Sequence, residues 1–447
     1  MFALALGRNG IPKGGISGIF HQLSRLPSTP HRTFAESTKK SVKSISSADV
    51  KGKVVFLRAD LNTPVTKEGE VKVTDDTRVA ASVPTIKLLQ EMGAKVVVTS
   101  HMGRPKGKVN DRMRLTPVGE CLAGHLGCPV TTLDDCVGPT VSSACASMED
   151  GEVVLLENLR FYPGETKNDE EFSEKLAADT GASVYVNDAF GTAHRAHSST
   201  AGVVPKIKAK DPSAPALAGL LLEKEIAFLH GAVDSPVKPF AAIVGGAKVS
   251  TKITVLEALM SKCDKILVGG GMLFTFLKAR GLNIGSSIVE EDFLEMAANL
   301  EKKAKEMNVE LILPVDVIIA DKFDNSAATQ TVSVDQIPDG WMGLDHGPET
   351  CSLFRDALSS CSTVVWNGPM GAFEMEKFAF GTNDLAECLA ELTSKGAVTI
   401  VGGGDSVAAV KKKGLENQLS HISTGGGASL EMLEGKILPG VAALDDA

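Results

Sequence analysis

The chain has no apolar run approaching the ~20 residues that a bilayer span requires, which excludes a membrane-spanning protein. It also has no basic excess. With a formal charge of −9 it offers no broad face for a nucleic-acid backbone, so any anion site must be local. Its eight cysteines contain no C-x-x-C pair and no zinc-like grouping with histidine, and they read as buried thiols of a reducing compartment. The Walker A spacing is absent, and so is the G-x-G-x-x-G fingerprint with its distal acid, which argues against the common P-loop and dinucleotide sites. Aromatic residues are few, at 5%, whereas glycines number 44. That balance suits an α/β fold rich in tight strand-to-helix turns, where backbone approaches neighbours or ligands closely.

At 447 residues the chain is too long for one ordinary core. Two similar halves are the simplest expectation. Residues 1–40 stand apart. Arg8, Lys13, Arg25 and Arg32 occur among Ser, Gly and Pro, and no acidic residue appears before Glu36. This composition is that of an organelle presequence, with a short amphipathic helix expected over 18–26. An Arg-x-Phe-Ala element at 32–35 favours a mitochondrial type cut after Phe34, with the chloroplast stroma as the alternative destination. Its removal would leave a more acidic organelle-matrix protein.

From residue 50 onward, short β-branched runs alternate with helical stretches, the pattern of a parallel sheet covered on both faces. In the first half the strands end in polar and basic residues: Arg58, Asp60 and Asn62 in "KVVFLRADLN", His101 and Arg104 in "AKVVVTSHMGRP", Arg160 in "EVVLLENLRFY", and His194, Arg195 and His197 after "ASVYVNDAFGTAHRAHSS". In the second half "FAAIVGGAK", "KILVGGGM", "STVVWNGPMG" and "AVTIVGGGDS" end in glycine-rich turns. Ligands of open parallel sheets bind beyond the carboxyl ends of the strands, so each half should carry one site. Residues 215–233 read as a long connecting helix with Glu223, Lys224 and Glu225 as a polar patch, and "EKKAKE" at 301–306 reads as a solvated helix face.

Gly245 and Gly246 bring backbone amides to a ligand, and 248–260 reads as one helix that stacks Lys248 and Lys252 one turn apart at its start. A phosphate chain is what such a surface would hold. The turn "GGGDS" adds Gly403, Gly404 and Asp405, the last a hard oxygen ligand suited to Mg2+. On the other side Arg58, Arg78, Arg104, Arg160 and Arg195 would converge on a small, highly anionic substrate.

Taken together, "RADLN", "SHMGRPKG", "LLENLRFY", "NDAFGTAHRAHSS", "VGGAKVSTKI", "GGGMLFTFLKARG", "GWMGLDHGP", "VVWNGPMGAFE", "GGGDS" and "STGGGASLEMLEGKILPG" resemble the phosphoglycerate kinase family over residues 40–447, in its plastid and bacterial-like branch. The resemblance implies two Rossmann-like three-layer domains joined by a helical hinge: residues 41–225 for 3-phosphoglycerate, 226–430 for the nucleotide, and 431–447 returning to the first domain. It implies reversible phosphoryl transfer between 1,3-bisphosphoglycerate with ADP and 3-phosphoglycerate with ATP, with Mg2+ as cofactor and a monomeric enzyme.

Carried over by motif, Asp60, Asn62, Arg78, His101, Arg104, Arg160 and Arg195 would contact the glycerate substrate. Lys252 would hold nucleotide phosphates, aligned by Asn367 and Ser406 and by the Gly403 and Gly404 turn, and Asp405 would bind through Mg2+. Glu374 would take the ribose hydroxyls, with Gly246, Gly270, Gly271, Gly343 and Leu344 lining the base and ribose pocket. Arg78 and Lys248 would bracket the transferring group from opposite domains. The rival readings are another small-molecule kinase acting on glycerate or acetate, a NAD-dependent dehydrogenase, and a non-catalytic binding protein.

Overall fold

The computed structural model describes residues 39–447. The presequence, its short helix and its processing site fall almost wholly outside the described residues. Two six-stranded sheets organise the rest. The first runs in the order β3 (Thr131–Thr132), β4 (Val153–Leu155), β2 (Lys95–Thr99), β1 (Val54–Arg58), β5 (Val184–Asn187) and β6 (Ala216–Ala218). The second runs β15 (His421–Ile422), β14 (Val398–Gly402), β13 (Thr363–Asn367), β7 (Phe240–Val244), β8 (Lys265–Val268) and β9 (Glu310–Ile312). Every pairing in both sheets is parallel.

The apolar strand runs explain the layering. Successive residues of a strand point to opposite faces, so a sheet covered twice needs apolar residues at both parities. Phe56, Val97, Val154 and Tyr185 pack into one layer, whereas Val55, Leu57, Val96 and Val98 pack into the other. The second sheet repeats this with Ala242, Val244, Ile266 and Val365 against Ala241, Ile243, Leu267 and Trp366. Each large side chain so buried contributes roughly 1.5–3 kcal/mol. One core layer is continuous between the halves, because Leu222, Ile226 and Leu229 of the helix Leu220–Asp234 join it from both sides.

Four expectations change. Residues 216–218 do not continue the connecting helix: they form β6, paired with Tyr185 to Asn187, and the helix begins only at Leu220. Gly219 makes the turn, where an added Cβ would collide with Asp188. Within the expected polar patch, Glu225 is fully buried, accepting from Thr424 N at 2.6 Å and bonding His421 Nε2 at 2.8 Å. Six cysteines are buried as expected, but Cys121 and Cys128 are partly exposed. Finally, a three-stranded antiparallel sheet, β11 (Thr329–Ser333), β10 (Asp316–Ala320) and β12 (Met342–His346), is inserted between β9 and β13. Its strands, one of them almost wholly exposed and none cleanly alternating, were indistinct among loop residues.

The C-terminal residues return to the first sheet. Asn187 Nδ2 donates to Gly440 O at 3.0 Å, Asp445 N to Ala216 O at 2.8 Å and Lys40 N to Asp445 O at 2.9 Å. Among the described residues no helix is long and apolar enough to cross a membrane.

Candidate active site

All seven residues expected to meet the anionic substrate line a single cavity of about 770 Å³ at the carboxyl edge of the first sheet: Asp60, Asn62, Arg78, His101, Arg104, Arg160 and Arg195. Lys106 and Lys167 also line it, so six cationic side chains face one carboxylate in a chain of net charge −9. Arg78 Nη1 donates to Asn62 O at 2.8 Å and lies 3.4 Å from Asp60, which aims the guanidinium along the cavity wall. Arg160 Nη1 donates to Gly103 O at 2.9 Å, while its buried Nε has no hydrogen-bond partner. His194 Nδ1 and His197 Nδ1 are likewise buried without a hydrogen-bond partner, the latter 3.8 Å from Glu165 Oε1. Burial and the adjoining arginines hold His101 well below the usual histidine range and His197 down to about 4, so both imidazoles are neutral acceptors or donors at pH 7. A cavity with surplus positive charge and unpaired buried nitrogens suits an anion.

Arg58 differs from the other strand-end arginines. It is completely buried and does not line the cavity; its Nε donates to Ser199 Oγ at 2.8 Å, one Nη to Ala59 O, and the other lies 3.1 Å from His101 Nδ1. Ser199 Oγ in turn donates to the buried Glu165 at 2.6 Å. Arg58 braces the cavity wall from behind through these bonds. Sequence reasoning also passed over Lys106 and Lys167. Lys106 stood within a quoted motif, whereas Lys167 ends a short helix, Pro163–Lys167, that carried no signal. The segment Thr424–Gly427 closes the cavity from the second half.

A second cavity, of about 510 Å³, lies at the glycine-rich edge. Gly246, Gly270, Gly271, Gly343, Leu344, Glu374 and Asp405 line it, with Phe274, Ile288, Val317 and Met342 giving it an apolar wall. Gly246 and Gly270 adopt φ of 123° and 74°, conformations that side chains disfavour. Beside this cavity Lys252 Nζ donates to Asn367 Oδ1 at 2.5 Å, while Asn367 Nδ2 is buried without a partner. Burial lowers the Lys252 ammonium below its usual range, and the carboxylates of Asp405 and Glu434 oppose that shift. Ser406 Oγ accepts from Gly368 N at 2.7 Å, which orders the turn after β13. Gly403 (φ 88°) caps the helix Gly404–Lys412 and leaves Asp405 exposed in its first turn.

The lysine pair is arranged differently from the expectation. Residues 248–260 are not one helix: a 3-10 turn, Val249–Thr251, precedes a helix Ile253–Met260. Lys248 is extended at the start of the turn and Lys252 occupies the helix N-cap position, so the two are not stacked on one helical face. The tighter turn follows from the Gly245-Gly246 bend, where a Cβ on Gly245 would strike Pro369 O.

Arg78 and Asn62 of the first edge also line a wider cleft together with Gly404 and Lys411 of the second, and Lys411 Nζ donates to Thr77 Oγ1 across it at 3.1 Å. Two parallel sheets that present a guanidinium-lined cavity and a glycine-lined cavity to a shared cleft define a two-lobed small-molecule kinase.

The phosphoglycerate kinase family model matches residues 45–436. The chain is 61% identical over 415 residues to the chloroplastic phosphoglycerate kinase of Volvox carteri, covering 93% of this chain and 88% of that one. It is 61% identical over 409 residues to the phosphoglycerate kinase of Trichodesmium erythraeum, covering 92% and 100%. The phosphoglycerate kinase structure from Coxiella burnetii superposes with a TM-score of 0.80 at 40% identity, over 91% of this chain and 98% of that one. The chain belongs to the phosphoglycerate kinase family, in its plastid and bacterial-like branch. It is a phosphotransferase with a carboxyl acceptor, interconverting 1,3-bisphosphoglycerate plus ADP with 3-phosphoglycerate plus ATP.

Proposed function

We propose that the guanidinium-lined cavity holds the phosphoglycerate and the glycine-lined cavity the nucleotide, with Arg78 and Lys248 stabilising the group in transit between them. The observation that carries this is Arg160: a half-buried arginine whose buried Nε has no hydrogen-bond partner, in a cavity where six cations face one carboxylate. A surplus of positive charge around an unpaired buried donor favours an anionic ligand. Asp60 and Asn62 orient Arg78, and Arg104 and Arg195, both exposed, reach the anion from the cavity mouth.

On the nucleotide side, Lys252 and the unpaired Asn367 Nδ2 offer donors to phosphate oxygens. Glu374 lies with Gly343 and Leu344 where ribose and base would sit. Asp405 is an exposed hard-oxygen donor beside these groups, so the residues fit Mg2+ carried in with the nucleotide. The ion, when bound, neutralises phosphate charge. A carboxylate acceptor is already ionised at neutral pH, so no general base is required.

In this reading the chain divides into residues 41–225, 226–430 and a returning 431–447, and binding of both anionic ligands draws the two lobes together and excludes water. One copy suffices, because both cavities are built from one chain. We read the N-terminal segment as a plastid presequence. The chloroplastic relatives from Volvox carteri and Chlamydomonas reinhardtii support that destination, and nothing among them supports the mitochondrial preference drawn from the Arg-x-Phe-Ala element.

Calorimetric titration of 3-phosphoglycerate and of MgADP separately tests the assignment. Arg160→Ala should weaken 3-phosphoglycerate binding by about tenfold or more and leave MgADP affinity unchanged. Unchanged 3-phosphoglycerate affinity would remove the substrate from this cavity.

A further inference from the structure

Away from both cavities, two helices of the first lobe bring three metal-binding side chains together. Asp76 occupies the N-cap position of the helix Thr77–Glu91, yet its side chain makes no capping bond and its Oδ2 lies 2.9 Å from His125 Nε2. His125 and Cys121 are four residues apart on the helix Thr116–Leu126, which places them on one face. One ligand atom from each of Asp76, Cys121 and His125 lies within 4.8 Å of the other two, the single such set of three among the described residues.

We propose that Asp76, Cys121 and His125 form a Zn2+-class site that leaves its fourth position to water. Ligand chemistry selects the ion: thiolate and imidazole favour a borderline-soft divalent metal, while Mg2+ and Ca2+ take oxygen ligands. Geometry allows it, since tetrahedral coordination separates ligand atoms by roughly 3.3–3.8 Å, a rotamer adjustment from the present spacing. Access is open, because the Asp76 side chain is 57% exposed and that of His125 33%. A carboxylate–imidazole ion pair alone would account for two of these residues but gives the thiol no part. On binding, a Zn–S bond replaces the S–H bond and the proton leaves to solvent, with no change of oxidation state.

The site's position gives it a consequence. Asp76 is next to Thr77, which accepts from Lys411 across the cleft, and two residues before Arg78. An ion there pins the start of the helix that carries both, by joining it to the helix Thr116–Leu126. Linear spacing could not show this, because Asp76 is 45 positions from Cys121 and C-x-x-x-H is ordinary helical spacing.

The test is titration of the full, reduced, metal-stripped chain with Zn2+, and with Co2+ as a spectroscopic probe. One equivalent should bind in the presence of excess Mg2+, and the Co2+ form should show thiolate charge-transfer absorption with tetrahedral d–d bands. Cys121→Ser and His125→Gln should each weaken binding by at least about tenfold. Cys128→Ser, at the other partly exposed thiol, should bind as the parent does. Since His125 is at the surface, H125Q reports on the site even if C121S folds poorly. Parent-like affinity in H125Q, loss in C128S equal to that in C121S, or absence of a thiolate band would each overturn the proposal.

Discussion

Arg58 Nη2 lies 3.1 Å from His101 Nδ1, and both side chains are buried. A guanidinium only donates, so Nδ1 must accept and the proton of neutral His101 resides on Nε2. The tautomer of a cavity residue is therefore set by an arginine that does not itself line the cavity. The same arginine is tied through Ser199 to Glu165.

That division of labour predicts opposite phenotypes for two arginines that look alike in sequence. Arg58→Lys should destabilise the fold by about 2–4 kcal/mol, because one ammonium cannot serve Ser199, Ala59 and His101 together. Arg104→Ala, at an exposed position on the cavity rim, should leave stability within about 0.5 kcal/mol while raising the KM for 3-phosphoglycerate severalfold. Denaturant melts and steady-state kinetics on the two variants check this; a stable R58K with a raised KM would reverse the assignment.

His197 predicts an acid-sensitive window. Burial, and then the charge of Arg160, hold its folded pKa down to about 4, whereas the unfolded chain titrates near the ordinary value of ~6.5. Below the unfolded value the unfolded state binds the extra proton, so stability falls as pH drops from about 6.5 towards 4. His197→Gln should flatten that limb. The difference is on the order of 1–2 kcal/mol once residual solvent contact is discounted. Urea melts across this pH range give the comparison, and equal slopes for the two proteins would contradict it.

Much of the architecture was legible because strand and site share a sequence signature. Runs such as Val54–Arg58 and Val398–Gly402 are apolar at both parities, so they announce doubly covered parallel strands, and the residues just beyond them fall at the ligand edge. What could not be read depends on partners distant in sequence. Arg58 ends one strand and Arg160 comes after another, and only the presence of Ser199 and His101 beside the first makes it structural. Glu225 sits in a charged triplet that suggests solvent, yet Thr424 and His421 of the other lobe enclose it. Lys248 and Lys252 have helical spacing, but the bend at Gly245 inserts a tighter turn between them.

Gly343 is predicted to guard the space of the glycine-lined cavity, proposed here for the nucleotide. A Cβ there would collide with the ring of Phe274, which lines the same wall. Gly343→Ala should push that ring towards the ligand, weaken MgADP binding by tenfold or more, and cost about 1–3 kcal/mol of stability through overpacking. The 3-phosphoglycerate affinity should be unaffected, since the cavity proposed for it lies on the other lobe. Calorimetry with both ligands distinguishes a local steric block from general misfolding, which would depress both.

Lys248 separates binding from chemistry. It is exposed and extended just after the Gly245-Gly246 turn and lines neither cavity, whereas Lys252 is half-buried against Asn367. A lysine that meets the phosphoryl group only as charge develops on it contributes to the transition state more than to the ground state. Lys248→Ala should then lower kcat by about two to three orders of magnitude with KM values changed less than about fivefold. Lys252→Ala should act mainly on nucleotide KM, because its ammonium is already positioned beside the cavity before any ligand binds. Parallel kinetics in the ATP-forming direction decide the matter: near-normal turnover in K248A would take Lys248 out of the phosphoryl path and leave Arg78 as the residue facing the transferring group.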